Sequence, residues 1–218
     1  GSLSMCGIVA YAGSDQASPI LLEALTRLEY RGYDSAGMAV QNGTGLELRR
    51  AAGRLAALGD LLDERPVHGE SGIAHTRWAT HGEPTVSNAH SDCSGEIAVC
   101  HNGIIENADV LRAELMRRGH TFSSDTDTEV LAHLIEEHWL PPLHLSVARA
   151  LAMVEGTYGI AVISAREPGR IVCARRGSPL LVGLGSGRIF AASDAAALLP
   201  YTRRVVYLDD GELAVLDS

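Results

Sequence analysis

The sequence predicts an α+β protein in which two mainly antiparallel sheets are faced by helices. Three observations lead there. Short apolar, strand-like runs open the chain, amphipathic helical segments fill its middle, and after Gly156 the pattern is strand to the end. Grouped strands followed by grouped helices point to segregated α+β architecture and not to alternating βαβ units. At 218 residues and 46% hydrophobic content, the chain can bury a substantial core.

Residues 7–12 are an apolar run closed by Gly13-Ser14-Asp15, a strand with a turn after it. Over 18–30 the period changes. Ile20, Leu21, Ala24, Leu25 and Leu28 recur at helical spacing, with Ser18-Pro19 as cap and first-turn proline. Residues 37–40 and 46–50 are strand-like around an Asn42-Gly43 hairpin signal. Residues 53–63 read as a helix, and 72–75 and 96–100 as short buried strands. Amphipathic helices are expected over 108–118, ending at Gly119, over 128–139, before Pro141-Pro142, and over 144–154. Strands follow at 158–164, 170–174, 180–183, 188–192, 204–207 and 212–216, punctuated by Gly and Asp-Asp-Gly turns. No repeat or internal boundary interrupts residues 6–218, so they are expected to form one domain. Gly1 to Met5 read as a leader outside the fold.

The net charge of −9 speaks against a nucleic-acid partner, which would need a basic stripe. No apolar stretch approaches the roughly 20 residues that span a bilayer, so no membrane partner is expected. Four cysteines without a Cys-x-x-Cys pair fit reduced thiols, and a cytoplasmic location is the expectation.

Cys6 follows Met5 at the head of the first strand. A cysteine exposed by methionine removal carries a thiol and a free α-amine on one residue, a nucleophile with its own base. A buried strand cysteine acting as a small hydrophobe is the ordinary alternative. Four polar clusters stand at predicted strand ends and helix starts, where sites tend to be built. The first is Tyr30-Arg31-Gly32-Tyr33-Asp34-Ser35-Ala36-Gly37, which also reads as a helix end with a glycine turn. The second is His75-Thr76-Arg77-Trp78-Ala79-Thr80-His81-Gly82, where an arginine fork could clamp a carboxylate or a loop could simply be solvated. The third is His101-Asn102-Gly103. An Asn amide beside a Gly N–H can form two converging donors, the geometry of an oxyanion hole, or merely a tight turn. The fourth is Ser124-Asp125-Thr126-Asp127-Thr128-Glu129, a helix N-cap at Thr126 or Asp127 whose carboxylates could also take an ammonium group.

In this order the clusters, with Cys6-Gly7-Ile8-Val9 before them and Gly177-Ser178-Pro179-Leu180 and Ala192-Ser193-Asp194 after, resemble one family. The chain is similar to the glutaminase domains of glucosamine-6-phosphate synthases, class II glutamine amidotransferases of the N-terminal-nucleophile hydrolase type. The wording of the first two clusters looks more like that family than the amidophosphoribosyltransferase branch. The resemblance implies a four-layer α/β/β/α sandwich and no cofactor. It implies Cys6 as nucleophile toward L-glutamine, Asn102 and the Gly103 N–H as oxyanion hole, Arg77 on the glutamine α-carboxylate and Asp127 on its α-ammonium. Trp78, Thr80 and His81 would lie on a loop closing over substrate, with Arg31 supporting Cys6. An α-amine of ordinary pKa, roughly 7.7–8.0, is partly neutral at pH 7, whereas a peptide nitrogen cannot accept the proton. A chain retaining Gly1 to Met5 is therefore expected to be inactive. The family's sugar-phosphate isomerase domains, which bind fructose-6-phosphate, are expected to be missing, leaving a monomer or weak dimer.

Two other readings start from the residues alone. His75, His81, His90, Cys93, Cys100 and His101 crowd one region as zinc ligands would, although without paired spacing, and no metal is assigned there. Gly183-Leu184-Gly185-Ser186-Gly187 has glycine density but joins two strands, so a hairpin is expected in place of a nucleotide loop.

Overall fold

The computed structural model describes residues 6–77, 92–94 and 96–217, the side chains of 92–94 excepted. Among the described residues, a seven-stranded sheet contains β1 (Gly7–Gly13), β2 (Ser35–Asn42), β3 (Gly45–Ala52), β4 (Ser71–Arg77), β9 (Leu181–Gly185), β10 (Arg188–Ala192) and β11 (Val205–Tyr207). Its order is β11-β9-β10-β1-β4-β2-β3, with β1 at its centre. A five-stranded sheet of order β12-β8-β7-β6-β5 is made from β5 (Asp92–Ser94), β6 (Ile97–Asn102), β7 (Tyr158–Ser164), β8 (Arg170–Arg176) and β12 (Leu213–Asp217). Every ladder between these strands is antiparallel.

The period-2 alternation of strand side chains divides the core into three layers. Val9, Tyr11, Met38, Val40 and Phe190 face α1 (Ala17–Thr26) and α2 (Leu55–Glu64), meeting Leu21, Leu25 and Leu58. Their strand neighbours Ile8, Ala10, Ala12, Ala39 and Ile73 point the other way, against Ala98, Cys100, Ala161, Ile163 and Cys173 of the second sheet. On that sheet's far face, Ile97, Val99, Ile160 and Val162 pack on α3 (Ala108–Arg117), α4 (Asp127–Glu137) and α5 (Leu143–Leu151). The result is helices, sheet, sheet, helices. Antiparallel sheets commonly wet one face; here both faces are covered, which is why these strands read as continuous apolar runs. Alanine and cysteine make up half of the buried residues in this middle layer, and Ile, Leu and Val make up the rest.

Several expected elements shift at their ends. The first helix starts at Ala17, with Gln16 in the capping position and no side-chain cap. Ser18 and Pro19 therefore lie inside the first turn, and the Ser18 hydroxyl faces the Val67 carbonyl. This helix stops at Thr26, and Glu29–Arg31 form a separate 3₁₀ turn that releases Arg31 toward β1. The hairpin at Gly43 and the one at Ser186-Gly187 form as expected, with Asn42 opposite Gly45 and Gly185 opposite Arg188.

Candidate active site

The first residues of β1, the last of β4 and the last of β6 meet at one end of the sandwich. Gly7 pairs with Thr76, so Arg77 continues β4 beside the point where Cys6 enters β1. The Gly7 N–H donates to Thr76 Oγ1 at 2.9 Å and the Ile8 N–H to Ser193 Oγ at 3.0 Å. A Cβ on residue 7 would stand 2.8 Å from Thr76 Oγ1 and 2.9 Å from Leu28 Cδ1, so a larger residue after Cys6 would have to displace the threonine that bonds its N–H.

Two side chains reach the Cys6 carbonyl. Asn102 Nδ2 donates to it at 2.7 Å and Arg31 Nη1 at 3.3 Å. Arg31 is held by Asp194 at 3.0 Å and Ser193 at 3.4 Å, and the Tyr30 hydroxyl also donates to Asp194. Burial raises the Asp194 carboxyl, but the Ala196 N–H, Tyr30 and Arg31 outweigh it and hold it below the usual range.

Across the sheets, His75 Nε2 lies 3.1 Å from Asn102 Oδ1. His75 is fully buried; burial, only partly opposed by the hydrogen bond to Asn102, pushes its pKa down to about 3. The Cys6 carbonyl can only accept, so the Asn102 nitrogen faces Cys6 and the amide oxygen faces His75. The neutral ring then carries its proton on Nε2, and that N–H holds the oxygen in place. Nδ2 has two hydrogens, and the bond to Cys6 uses one of them.

Gly103 follows at φ 116°, and a Cβ there would lie 2.3 Å from the Thr157 carbonyl. The Asn102-Gly103 pair is thus a strand end forced into a glycine-only conformation against β7, and not a hairpin turn. Two residues on, the Ile105 N–H donates to Asp127 Oδ2 at 3.0 Å. Asp127 opens α4 behind the Thr126 cap, whose hydroxyl accepts from the Glu129 N–H at 3.2 Å. Glu129 reaches back to the Ser123 and Ser124 N–H groups at 2.8 and 2.7 Å, a reciprocal capping arrangement. Arg112 ties the loop down through the Ser124 and Thr126 carbonyls.

Of the residues singled out in the sequence, Cys6 and Asn102 are in contact, Gly103 adjoins them, and Asp127 is docked two residues beyond. Arg77 ends β4 with only 3% exposure, and its carbonyl accepts from the Asp34 N–H at 2.8 Å. Trp78, Thr80 and His81 lie outside the described residues, as do His90 and the Cys93 side chain. Cys100 points into the inter-sheet layer, while His101 contacts Thr128 and Thr157 at 3.2 Å each. Sequence reasoning placed His75 and Thr76 in the second polar cluster, offered His75 as a zinc ligand, and named Ser193 only within the resemblance; the contacts these three make to Asn102, Gly7 and Ile8 were not foreseen.

A family profile described as a glutamine amidotransferase domain matches residues 75–200. The chain belongs to that family. Glutamine amidotransferase domains of this kind stand within longer proteins among its relatives. It is 53% identical over 221 residues to the glutamine–fructose-6-phosphate aminotransferase (isomerizing) of Chlorobaculum tepidum, covering 97% of this chain and 36% of that protein. With the enzyme of the same name from Escherichia coli K12 it shares 51% over 213 residues, covering 96% and 35%. The chain thus spans about a third of the length of these curated relatives. Among solved structures it is similar to the glutamine phosphoribosylpyrophosphate amidotransferase of B. subtilis, with TM-score 0.84 and 26% identity over 97% of this chain and 47% of that one. The four-layer sandwich is therefore a glutamine amidotransferase fold, and the sequence sides with the aminotransferases over the phosphoribosyl branch.

Proposed function

We propose that this domain hydrolyses the side-chain amide of L-glutamine to glutamate and ammonia, with Cys6 as nucleophile once it is the first residue. The observation that carries this reading is the Asn102 amide held between the Cys6 carbonyl and a buried His75 in a glutamine amidotransferase domain.

The α-amine of a chain beginning at Cys6 takes the thiol proton, and the thiolate attacks the amide carbon of glutamine. The carbonyl electron pair moves onto oxygen, where the remaining Asn102 N–H and the Gly103 N–H stabilise it. As the intermediate collapses, the C–N bond breaks and the ammonium returns its proton to the leaving nitrogen. Ammonia departs and a γ-glutamyl thioester remains. Water, deprotonated by the same amine, then attacks the thioester; glutamate leaves and the thiol is restored. Arg77 pairs with the substrate α-carboxylate and Asp127 with its α-ammonium. Trp78, Thr80 and His81 belong to the segment that closes over bound glutamine, keeping water out during the first half-reaction. None of these steps needs a cofactor or metal.

The names of the curated relatives support a further reading of the whole protein. Sugar-phosphate isomerase domains would take the ammonia and fructose-6-phosphate to glucosamine-6-phosphate, in the cytoplasm. The isolated glutaminase domain is then a monomer or weak dimer. Among the described residues, no helix is long and apolar enough to cross a membrane.

The test is a coupled assay for glutamate and ammonia with a mass-verified chain starting at Cys6. Equimolar products are expected, with none from Cys6→Ala. Turnover retained in Cys6→Ala would refute the assignment.

A further inference from the structure

We propose that His120, His133 and Glu136, none of which the glutamine chemistry uses, form a binding site for a divalent metal ion of the zinc class. Three donor atoms converge there. His120 Nδ1 lies 3.0 Å from His133 Nδ1, and both lie 3.8 Å from Glu136 Oε2. The point equidistant from these atoms is about 2.1 Å from each, which is the length of a zinc–nitrogen or zinc–oxygen bond.

The outer hydrogen bonds agree with this. His120 Nε2 is 2.8 Å from Glu137 Oε2, and His133 Nε2 is 3.3 Å from Glu129 Oε1. A carboxylate only accepts, so each ring carries its proton on Nε2 and, when neutral, turns a bare Nδ1 lone pair toward the other ring. Two lone pairs 3.0 Å apart repel unless a cation stands between them. Metal-bound histidines almost always show this carboxylate behind the ring, which fixes the tautomer and raises ligand basicity. The Phe122 ring, 4.4 Å from His133 centre to centre, closes the inner side. The outer side is a depression of about 320 Å³ bordered by Arg118 and Thr121, with room for water as a fourth ligand. Arg118 is engaged with Glu114 and Glu137 at 3.0 Å each, so its charge is compensated.

His120 lies just beyond α3, whereas His133 and Glu136 lie on α4. A bound ion would therefore staple the α3–α4 connection to the helix whose first residue is Asp127. The spacing His120, His133, Glu136 matches no short motif, and it was invisible until the loop folded back on α4.

The test uses tag-free chain in a Cys6→Ala background, since an aminothiol would itself bind zinc. Calorimetric titration with zinc chloride should give one ion per chain, and cobalt(II) should give a visible d–d spectrum of low-coordinate nitrogen–oxygen ligation. His120→Gln and Glu136→Gln, both at the rim, should retain the circular dichroism of the parent and weaken zinc binding by about tenfold or more. Glu137→Gln should weaken it by roughly 10–100-fold through the ring it supports. No uptake at submillimolar zinc would overturn the site and leave a shared proton to bridge the two rings. Binding unchanged in both rim variants would overturn it equally. Either failure leaves the glutaminase reading untouched, because this background carries no nucleophile.

Discussion

A backbone carbonyl and a buried, neutral histidine hold one amide between them. The Cys6 carbonyl takes the Asn102 nitrogen, and the His75 N–H then takes the amide oxygen. Asn102→Ala should lower kcat by about 10²–10³, the usual cost of one oxyanion donor, in a steady-state glutamate assay. His75→Leu leaves the Asn102 nitrogen on Cys6 but removes the donor that holds its oxygen. We predict a fall in kcat with KM for glutamine little changed, and partial rescue by His75→Gln, whose amide can again donate. His75 also ties folding to pH. Its folded pKa, about 3, is below the ordinary 6.5, so the unfolded chain binds the extra proton. Its contribution is complete above about pH 6.5 and is lost progressively as pH falls toward 3. Urea unfolding at pH 7 and pH 4 should show a larger loss for the parent than for His75→Gln. The grouping of Cys6, Asn102 and Gly103 was legible only through the family resemblance, because alone each reads equally well as a strand cysteine or a tight turn. His75 was not, since its role depends on a contact between two sheets that no local pattern encodes.

At the scale of elements, the Thr126 cap and the Glu129 back-bond set where α4 begins and so where Asp127 stands. Thr126→Ala should cost about 1 kcal/mol of stability in denaturant titrations, with a range of roughly 0.5–2. It should also raise KM for glutamine more than it lowers kcat, because the displaced group binds substrate and does not react. The sequence narrowed this cap to Thr126 or Asp127, and the structure places it at Thr126. Strands such as Tyr158–Ser164 and Arg188–Ala192 were legible to the residue, being apolar runs bounded by turn formers. The start of α1 was not. Ser18-Pro19 has the composition of a cap, but Pro19 falls at the third helical position, where a missing N–H costs equally little. The three-residue β5 has no pattern of its own and exists through its pairing with β6.

Over the whole molecule, polar groups stitch the two sheets together at opposite ends. At one end are Cys6, Asn102 and His75. At the other, buried Gln41 of β2 donates to the Ser164 carbonyl of β7 at 2.7 Å and accepts from Ser71 at 2.6 Å. Gln41→Leu strands those partners in a dry interior and should cost about 1–3 kcal/mol, with glutaminase kinetics preserved at a temperature where the variant remains folded. The layered architecture was legible because both faces of each sheet are covered, so apolar runs without amphipathic relief announced two buried sheets. The pairing order with β1 at the centre was not, since it depends on strands far apart in the chain. That central position is what brings Cys6 to Asn102, and the account rests on Cys6 acting with its own amine. The most direct measurement is glutamate release from glutamine by two mass-verified preparations, one beginning at Cys6 and one retaining Gly1 to Met5. Turnover in the first alone is the predicted result; equal turnover in both would contradict the account.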